Sequence, residues 1–204
     1  MTELDFIIEK EESSIIKVIG VGGGGSNAVN QMFTMKVQGV DFVICNTDAQ
    51  ALKASPVPIK IALGSSLTEG RGAGNNPEKG RQAAIESLPD IEKILDNNTK
   101  MVFITAGMGG GTGTGAAPVI AQAAKERDIL TIGIVSIPFK VEGEVRINQA
   151  IEGINKMEEY VDALLIISNE KLQSIYTDLK LSNAFSKADD VLAIATKGIA
   201  EIIT

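Results

Sequence analysis

Histidine is absent from the 204-residue sequence, and cysteine occurs once. Without an imidazole, neither Ser-His-Asp nor Cys-His nucleophilic chemistry is available, and the common histidine-ligated metal sites are excluded. Cys45 cannot form an internal disulfide, which fits a reducing, cytosolic compartment. It stands in an apolar run and reads as core filler, since no histidine exists to activate it. No apolar stretch reaches the roughly 18 residues of a membrane span. The start, Met1-Thr2-Glu3-Leu4-Asp5, is acidic and does not read as a signal peptide. Blocks of basic residues are missing too, and the formal charge is -7, so general binding to nucleic acid is not expected. The pattern G-x-x-x-x-G-K-[ST] is also absent, so no P-loop lysine reaches toward β- and γ-phosphates.

What the chain has in quantity is glycine, 21 residues, and apolar side chains, 44%. That apolar content supports one well-buried domain. Residues 1–13 are polar and acidic and read as a flexible N-terminal segment. Five apolar, β-branched runs follow, at 15–19, 41–45, 101–105, 130–135 and 163–167. They do not alternate cleanly, as expected for strands covered on both faces. Helix-like segments lie between most of them, at 26–35, 77–87, 116–126 and 144–160. The expected architecture is therefore α/β: three layers, with a mostly parallel sheet and helices on both faces. Residues 64–76 break the rhythm as a long loop, a frequent home of function. Asn76-Pro77 then offers a helix cap and a helix-opening proline. Residues 183–203 read as a last helix whose apolar positions cover about half its circumference, wider than the ~100° stripe of a surface helix. The surplus points to a second partner, and the end after Ile202-Ile203 reads as a cut in a connecting helix. A C-terminal helix with a generous apolar face is the plainer alternative.

Three glycine-rich runs stand out. Residues 107–115 read Gly-Met-Gly-Gly-Gly-Thr-Gly-Thr-Gly and lie between a strand-like run and a helix-like one. Strand, glycine loop and helix in that order form an anion cradle. Glycine lets the backbone approach an oxyanion with its N–H groups turned inward, and the helix N-terminus adds positive potential. Residues 20–27 repeat the arrangement after the first strand and match G-x-G-x-x-G, the dinucleotide fingerprint, with Asn46-Thr47-Asp48 supplying an acid in the region of a ribose. A dinucleotide-binding protein is thus one reading. The second run, and a third at 70–74, are surplus for one pyrophosphate and suit a triphosphate better.

The motifs together resemble the tubulin/FtsZ family of GTPases. Residues 107–115, continued by Ala116-Ala117-Pro118, are similar to its signature G-G-G-T-G-[ST]-G. Gly20-Val21-Gly22-Gly23-Gly24-Gly25-Ser26-Asn27, Asn46-Thr47-Asp48-Ala49-Gln50, Gly72-Ala73-Gly74 with Asn76-Pro77-Glu78, and Pro138-Phe139 with Glu142-Gly143 agree with its bacterial cell-division branch. The resemblance covers about residues 14–204. It implies a GTP- or GDP-binding domain at 14–182, with Mg²⁺ accompanying GTP, and a central connecting helix at 183–204 leading to a second domain absent here. It also implies head-to-tail polymerisation into a cytokinetic ring in the bacterial cytoplasm at the division site. Other division proteins would be met through parts outside this chain, without nucleic acid and without membrane insertion.

Residue by residue, the resemblance implies that Gly22, Gly23, Gly24, Gly25 and Asn27, with Asn46, contact phosphates and nucleoside. Gly109, Gly110, Gly111, Thr112 and Gly113 would hold the β- and γ-phosphates, and Gly107 and Met108 count among the nucleotide contacts. Gly72, Ala73 and Gly74 would close near the γ-phosphate as a switch loop. Glu142 and Arg146, beside Pro138, would hold the ribose and a nearby phosphate, although an ordinary i,i+4 surface ion pair reads the same. Phe185 would stack on the base, and Asp189 and Asn169 would read guanine, whose N1–H and N2–H₂ donors adenine lacks. Asp190 competes with Asp189 but lies about 100° round the helix, off the Phe185 face. The family's metal is carried by the nucleotide, so no protein-held metal site is expected. Catalytic residues are not expected within this chain: the family completes hydrolysis with an acidic loop from the next subunit, so the piece alone is expected to bind nucleotide and barely hydrolyse it. Ser168 and Ile137 stand where the family commonly has proline and a basic residue. Glu69 and Arg71 replace an arginine and a leucine; Arg71 either adds a cation near the γ-phosphate or, the preferred reading, points to solvent.

Overall fold

The computed structural model describes residues 14–175 and 181–203, with the side chains of 173–186 and 199–203 outside the description. Six strands form one parallel sheet, in the order β3-β2-β1-β4-β5-β6. In chain order the elements are β1 (Ile16–Val21), α1 (Gly22–Thr34), β2 (Asp41–Asn46), α2 (Ala49–Ala54), β3 (Ile59–Ala62), the short α3 (Ser65–Thr68), α4 (Pro77–Glu86) and α5 (Leu88–Leu95). They continue with β4 (Met101–Gly107), α6 (Thr112–Lys125), β5 (Leu130–Ile137), α7 (Glu144–Glu158), β6 (Ala163–Ser168), α8 (Asn169–Ile175) and α9 (Leu181–Ile203).

The central strands β1 and β4 are buried along almost their whole length, which explains why their sequences are apolar without alternation. Alternation survives in where the side chains go. Ile19, Val21, Val102 and Ile104 pack beneath α4, α5, α6 and α7, through Ala83, Ile91, Ile120 and Met157. Ile16, Val18, Met101 and Phe103 point the other way, onto Ala28, Val29 and Met32 of α1 and Leu192 of α9. The three layers expected from the sequence are present, and every strand pairing is parallel.

The sheet reverses direction between β1 and β4. From β1 the chain winds out through β2 and β3, and from β4 it winds out the other way through β5 and β6. At such a switch point the two following loops diverge and leave a crevice beyond the strand ends. The crevice here falls between Val21, which pairs with Ala106, and the glycine runs that follow each strand.

Four features depart from the sequence expectation. β3 is a sixth strand where five were expected, and α5 follows α4 after one residue. Helices α1 and α6 also begin inside the glycine runs, at Gly22 and Thr112, rather than after them. The first turn of a helix leaves its N–H groups without intrahelical acceptors, so a glycine-built first turn delivers those donors to the crevice. Finally, the long loop at 64–76 contains the turn of α3, flanked by Gly64 and Glu69 in the left-handed region (φ 59 and 51). The expected cap is present: Asn76 Oδ1 accepts from the N–H groups of Glu78 and Lys79 at 3.0 and 3.2 Å, with Pro77 opening α4.

Candidate functional site

A cavity of about 420 Å³ occupies the crevice. Its walls come from α1 (Gly23, Gly24, Asn27), the end of β4 and the run after it (Gly107, Met108, Gly110, Gly111), and α6 (Thr112, Gly113). The far side is built from Ser136, Pro138, Glu142, Arg146, Asn169, Ala188 and Asp189. Two larger surface hollows exist, one between α4, α6 and α7 and one beside β3 and α5. Neither lies at the carboxyl ends of the central strands.

The phosphate-sized end is held in shape by close backbone packing. Gly22 has φ 70, and a Cβ there would fall 2.8 Å from the Gly113 nitrogen. A Cβ on Gly25 would overlap the Thr105 carbonyl oxygen. Gly22 therefore seats the start of α1 against the start of α6, Gly25 seats α1 on β4, and neither is on the cavity wall. The Gly109 N–H donates to Thr114 Oγ1 at 2.8 Å, and the Met108 N–H to the Ser136 carbonyl at 2.9 Å. Gly109 is also absent from the wall, since it packs against Pro138 and the Arg146 carbonyl. The first-turn N–H groups of α6 have no acceptor within the helix, and Thr112 and Gly113 of that turn line the cavity at the helix's positive end.

The opposite end is polar and acidic. Asp189 Oδ2 accepts from Asn27 Nδ2 at 3.2 Å. Burial pushes the Asp189 carboxyl up from 3.8 to about 6; the neighbouring Asp190 charge adds to the rise, and the Asn27 hydrogen bond opposes it. Asp190 is turned away: it accepts from Gln31 Nε2 and pairs with Lys187 at 3.7 Å. Asn169 is 6% exposed, and its Oδ1 has no hydrogen-bond partner among the described residues. A buried acceptor without a donor is costly, so an incoming N–H is favoured there. The Phe185 side chain lies outside the described residues.

Glu142 and Arg146 pair at 2.7 Å, and Glu142 Oε1 also accepts from the Phe139 N–H at 2.9 Å. This exceeds an ordinary surface pair in one respect, because Arg146 Nη2 also donates to Asn75 Oδ1 at 3.4 Å, in the loop at 64–76. Asn75 was not anticipated; its φ of 61 is the left-handed conformation that asparagine tolerates. Gly72, Ala73 and Gly74 do not line the cavity. They stand behind its rim, where a Cβ on Gly111 would fall 2.8 Å from that of Ala73. Asn46 is also outside it, since its side chain accepts the Asp48 N–H at 3.2 Å in a turn. Arg71 is exposed beside Glu69, as expected. Cys45 is fully buried, and burial pushes its thiol up to about 12, which suits a core residue. No group of three metal-ligating side chains occurs among the described residues, and no described helix is long and apolar enough to cross a membrane.

Fold and site define a parallel α/β domain with a glycine-built anion cradle at the sheet's switch point. The model of the tubulin/FtsZ family GTPase domain matches residues 15–177. The chain is 60% identical over 190 residues to the cell division protein FtsZ of Porphyromonas gingivalis, covering 93% of this chain and 42% of that one. It is 55% identical over 193 residues to FtsZ of Pseudomonas putida, covering 94% and 48%. Among solved structures it superposes on an empty FtsZ dimer from M. jannaschii with a TM-score of 0.91 and 42% identity, over 96% of this chain and 57% of that one. The protofilament of CetZ2 from Haloferax volcanii with GTPγS bound gives 0.80 and 25%, over 91% and 57%. The chain belongs to the tubulin/FtsZ family, and it spans about half the length of these curated relatives.

Proposed function

We propose that the cavity binds a guanine nucleotide, GTP or GDP, as the nucleotide-binding domain of a polymerising cell-division GTPase. One observation carries the reading. A single cavity has glycine-supplied N–H donors at one end, and at the other the Asp189 carboxylate together with the unpartnered Asn169 Oδ1. The first end suits phosphates and the second suits the N1–H and N2–H₂ donors of guanine. A dinucleotide requires no second glycine cradle. The volume of about 420 Å³ lies within the range of small-ligand sites.

In this reading Gly23, Gly24, Gly110, Gly111, Thr112 and Gly113 cradle the phosphates, and Arg146, held by Glu142, adds a cation toward ribose and phosphate. Mg²⁺ travels with GTP. It keeps several waters and binds mainly phosphate oxygens, so a dedicated protein cage is unnecessary. Both carboxylates on the cavity wall have other roles in this reading, Glu142 holding Arg146 and Asp189 accepting from the base. Hydrolysis therefore draws its water-activating carboxylate from a second subunit, in a head-to-tail assembly at the bacterial division site. Binding competition tests the proposal: a fluorescent GDP analogue should be displaced by GTP and GDP, and not by ATP or NAD. Equal displacement by ATP overturns the guanine reading, and displacement by NAD revives the dinucleotide one.

A further inference from the structure

We propose that Thr47 is a positioning residue that carries the presence of a terminal phosphate from Thr112 to the loop at 68–75. This rests on the triphosphate reading above. Thr47 is 2% exposed at the end of β2 and is not on the cavity wall. Its hydroxyl lies 2.7 Å from the Thr112 hydroxyl, and Thr112 is both the first residue of α6 and part of the wall. Its carbonyl accepts the Gly72 N–H at 3.0 Å; the Thr68 hydroxyl also lies 3.3 Å from it but gives its proton to the Gly64 carbonyl at 2.9 Å. One residue thus touches the cradle through its side chain and the loop through its backbone. The loop is also tied to the first residue of α2, Ala49, whose N–H donates to the Gly70 carbonyl at 3.0 Å.

A hydroxyl has one proton to give. With an anion at Thr112, that proton goes to the phosphate, and Thr47 must then donate to Thr112. With no anion, Thr112 is free to donate to Thr47, whose own proton turns elsewhere. The direction of the Thr47–Thr112 bond therefore follows occupancy. The occupied chain, Thr47 to Thr112 to phosphate, ends in a charge-assisted bond, and its links strengthen one another. It fixes the Thr47 peptide and, through the carbonyl, the Gly72 N–H. In this proposal it is the terminal phosphate that reaches Thr112, so GDP leaves the chain unfinished.

Thr47→Val keeps the shape and removes the hydroxyl, and Thr47→Ser keeps the hydroxyl. For each variant of the 204-residue chain, the affinities for GDP and for GTPγS are measured, with amide hydrogen exchange across 68–75. The unsubstituted protein should protect these amides more with GTPγS than with GDP. Thr47→Val should leave GDP affinity within about twofold, lose the extra protection, and cut the preference for GTPγS about fivefold, or about 1 kcal/mol. Thr47→Ser should retain both. Thr47→Ala gives the same readout if valine prevents folding. GTPγS-specific protection that survives in Thr47→Val overturns the inference while leaving the nucleotide reading intact. Equal weakening of both nucleotides, not restored by serine, reduces Thr47 to a structural residue and also overturns it. Failure of the unsubstituted protein to bind either nucleotide overturns the reading beneath it.

Discussion

Acidification should weaken guanine binding at a pH where isolated carboxylates are still ionised. Asp189 has a carboxyl pushed up to about 6, chiefly by burial. Only the carboxylate accepts both guanine donors, so a protonated Asp189 must first lose its proton. For a single group near 6, affinity falls about twofold at pH 6 and about tenfold at pH 5, and changes little above pH 7. Titration calorimetry of GDP between pH 5 and 7.5 measures this, and near pH 6 binding should release a fraction of a proton, seen as a buffer-dependent enthalpy. Asp189→Asn should bind weakly and lose the slope. Stability runs in the opposite sense. An acid whose folded-state pKa is raised contributes stability when protonated, in full below 3.8, and that contribution disappears as pH climbs through about 6. Asp189→Asn should therefore raise the melting temperature of ligand-free protein at pH 7.5 and leave it nearly unchanged at pH 4. A GDP affinity flat from pH 7.5 to 5, or a slope that persists in Asp189→Asn, would refute Asp189 as the base-reading group.

Glycine substitutions should separate packing from binding. A Cβ on Gly115 overlaps the Pro77 carbonyl and falls 2.6 Å from the Arg81 nitrogen, so Gly115→Ala should lose about 3 kcal/mol or more in urea unfolding. Gly23 has nothing within 4 Å of a built Cβ and lies on the wall, so Gly23→Ala should gain up to about 1 kcal/mol of stability yet weaken nucleotide binding. Arg146→Ala removes a partly exposed pair, so unfolding should change by no more than about 1 kcal/mol while GTP and GDP affinities drop about tenfold or more. Lys17 is 1% exposed and pairs with Asp41 at 3.1 Å. Asp41→Ala should cost about 3 kcal/mol, read by denaturant unfolding, because the buried ammonium loses its carboxylate.

The glycine-lined end of the cavity was legible because its information is local. Strand, glycine run and helix start follow one another within a few residues, and their sterics require glycine. Helical geometry likewise separated Asp189 from Asp190, which the structure turns toward different neighbours. β3 was missed because it is a four-residue edge strand after Ser55-Pro56-Val57-Pro58, with three of its residues exposed. The break between α4 and α5 has a tertiary cause. Ser87 accepts the Gly64 N–H at 2.9 Å and donates to the Ala62 carbonyl at 3.2 Å, an anchor to a distant loop that no local pattern announces. Thr47 and Asn75 were hidden for the same reason, as their partners Thr112 and Arg146 lie 65 and 71 residues away.

Helix α1 joins the two ends of the cavity. Gly23 and Gly24 in its first turn face the cradle, and Asn27, one turn on, holds Asp189 from α9. Asn27 also tunes the acid, since its amide favours the carboxylate against burial. Loss of binding in Asn27→Ala would by itself fit either a direct contact with the nucleoside or a support for Asp189. The pH profile tells them apart. Without the amide, the Asp189 carboxyl should rise further, so the midpoint of the affinity loss should move above the value of about 6 expected for the unsubstituted protein. A uniform weakening at every pH with the midpoint unmoved would leave Asn27 a ligand contact alone. An upward shift with little loss at pH 8 would make it a keeper of the Asp189 charge, and the base end of the site would then depend on a hydrogen bond between the first helix and the last.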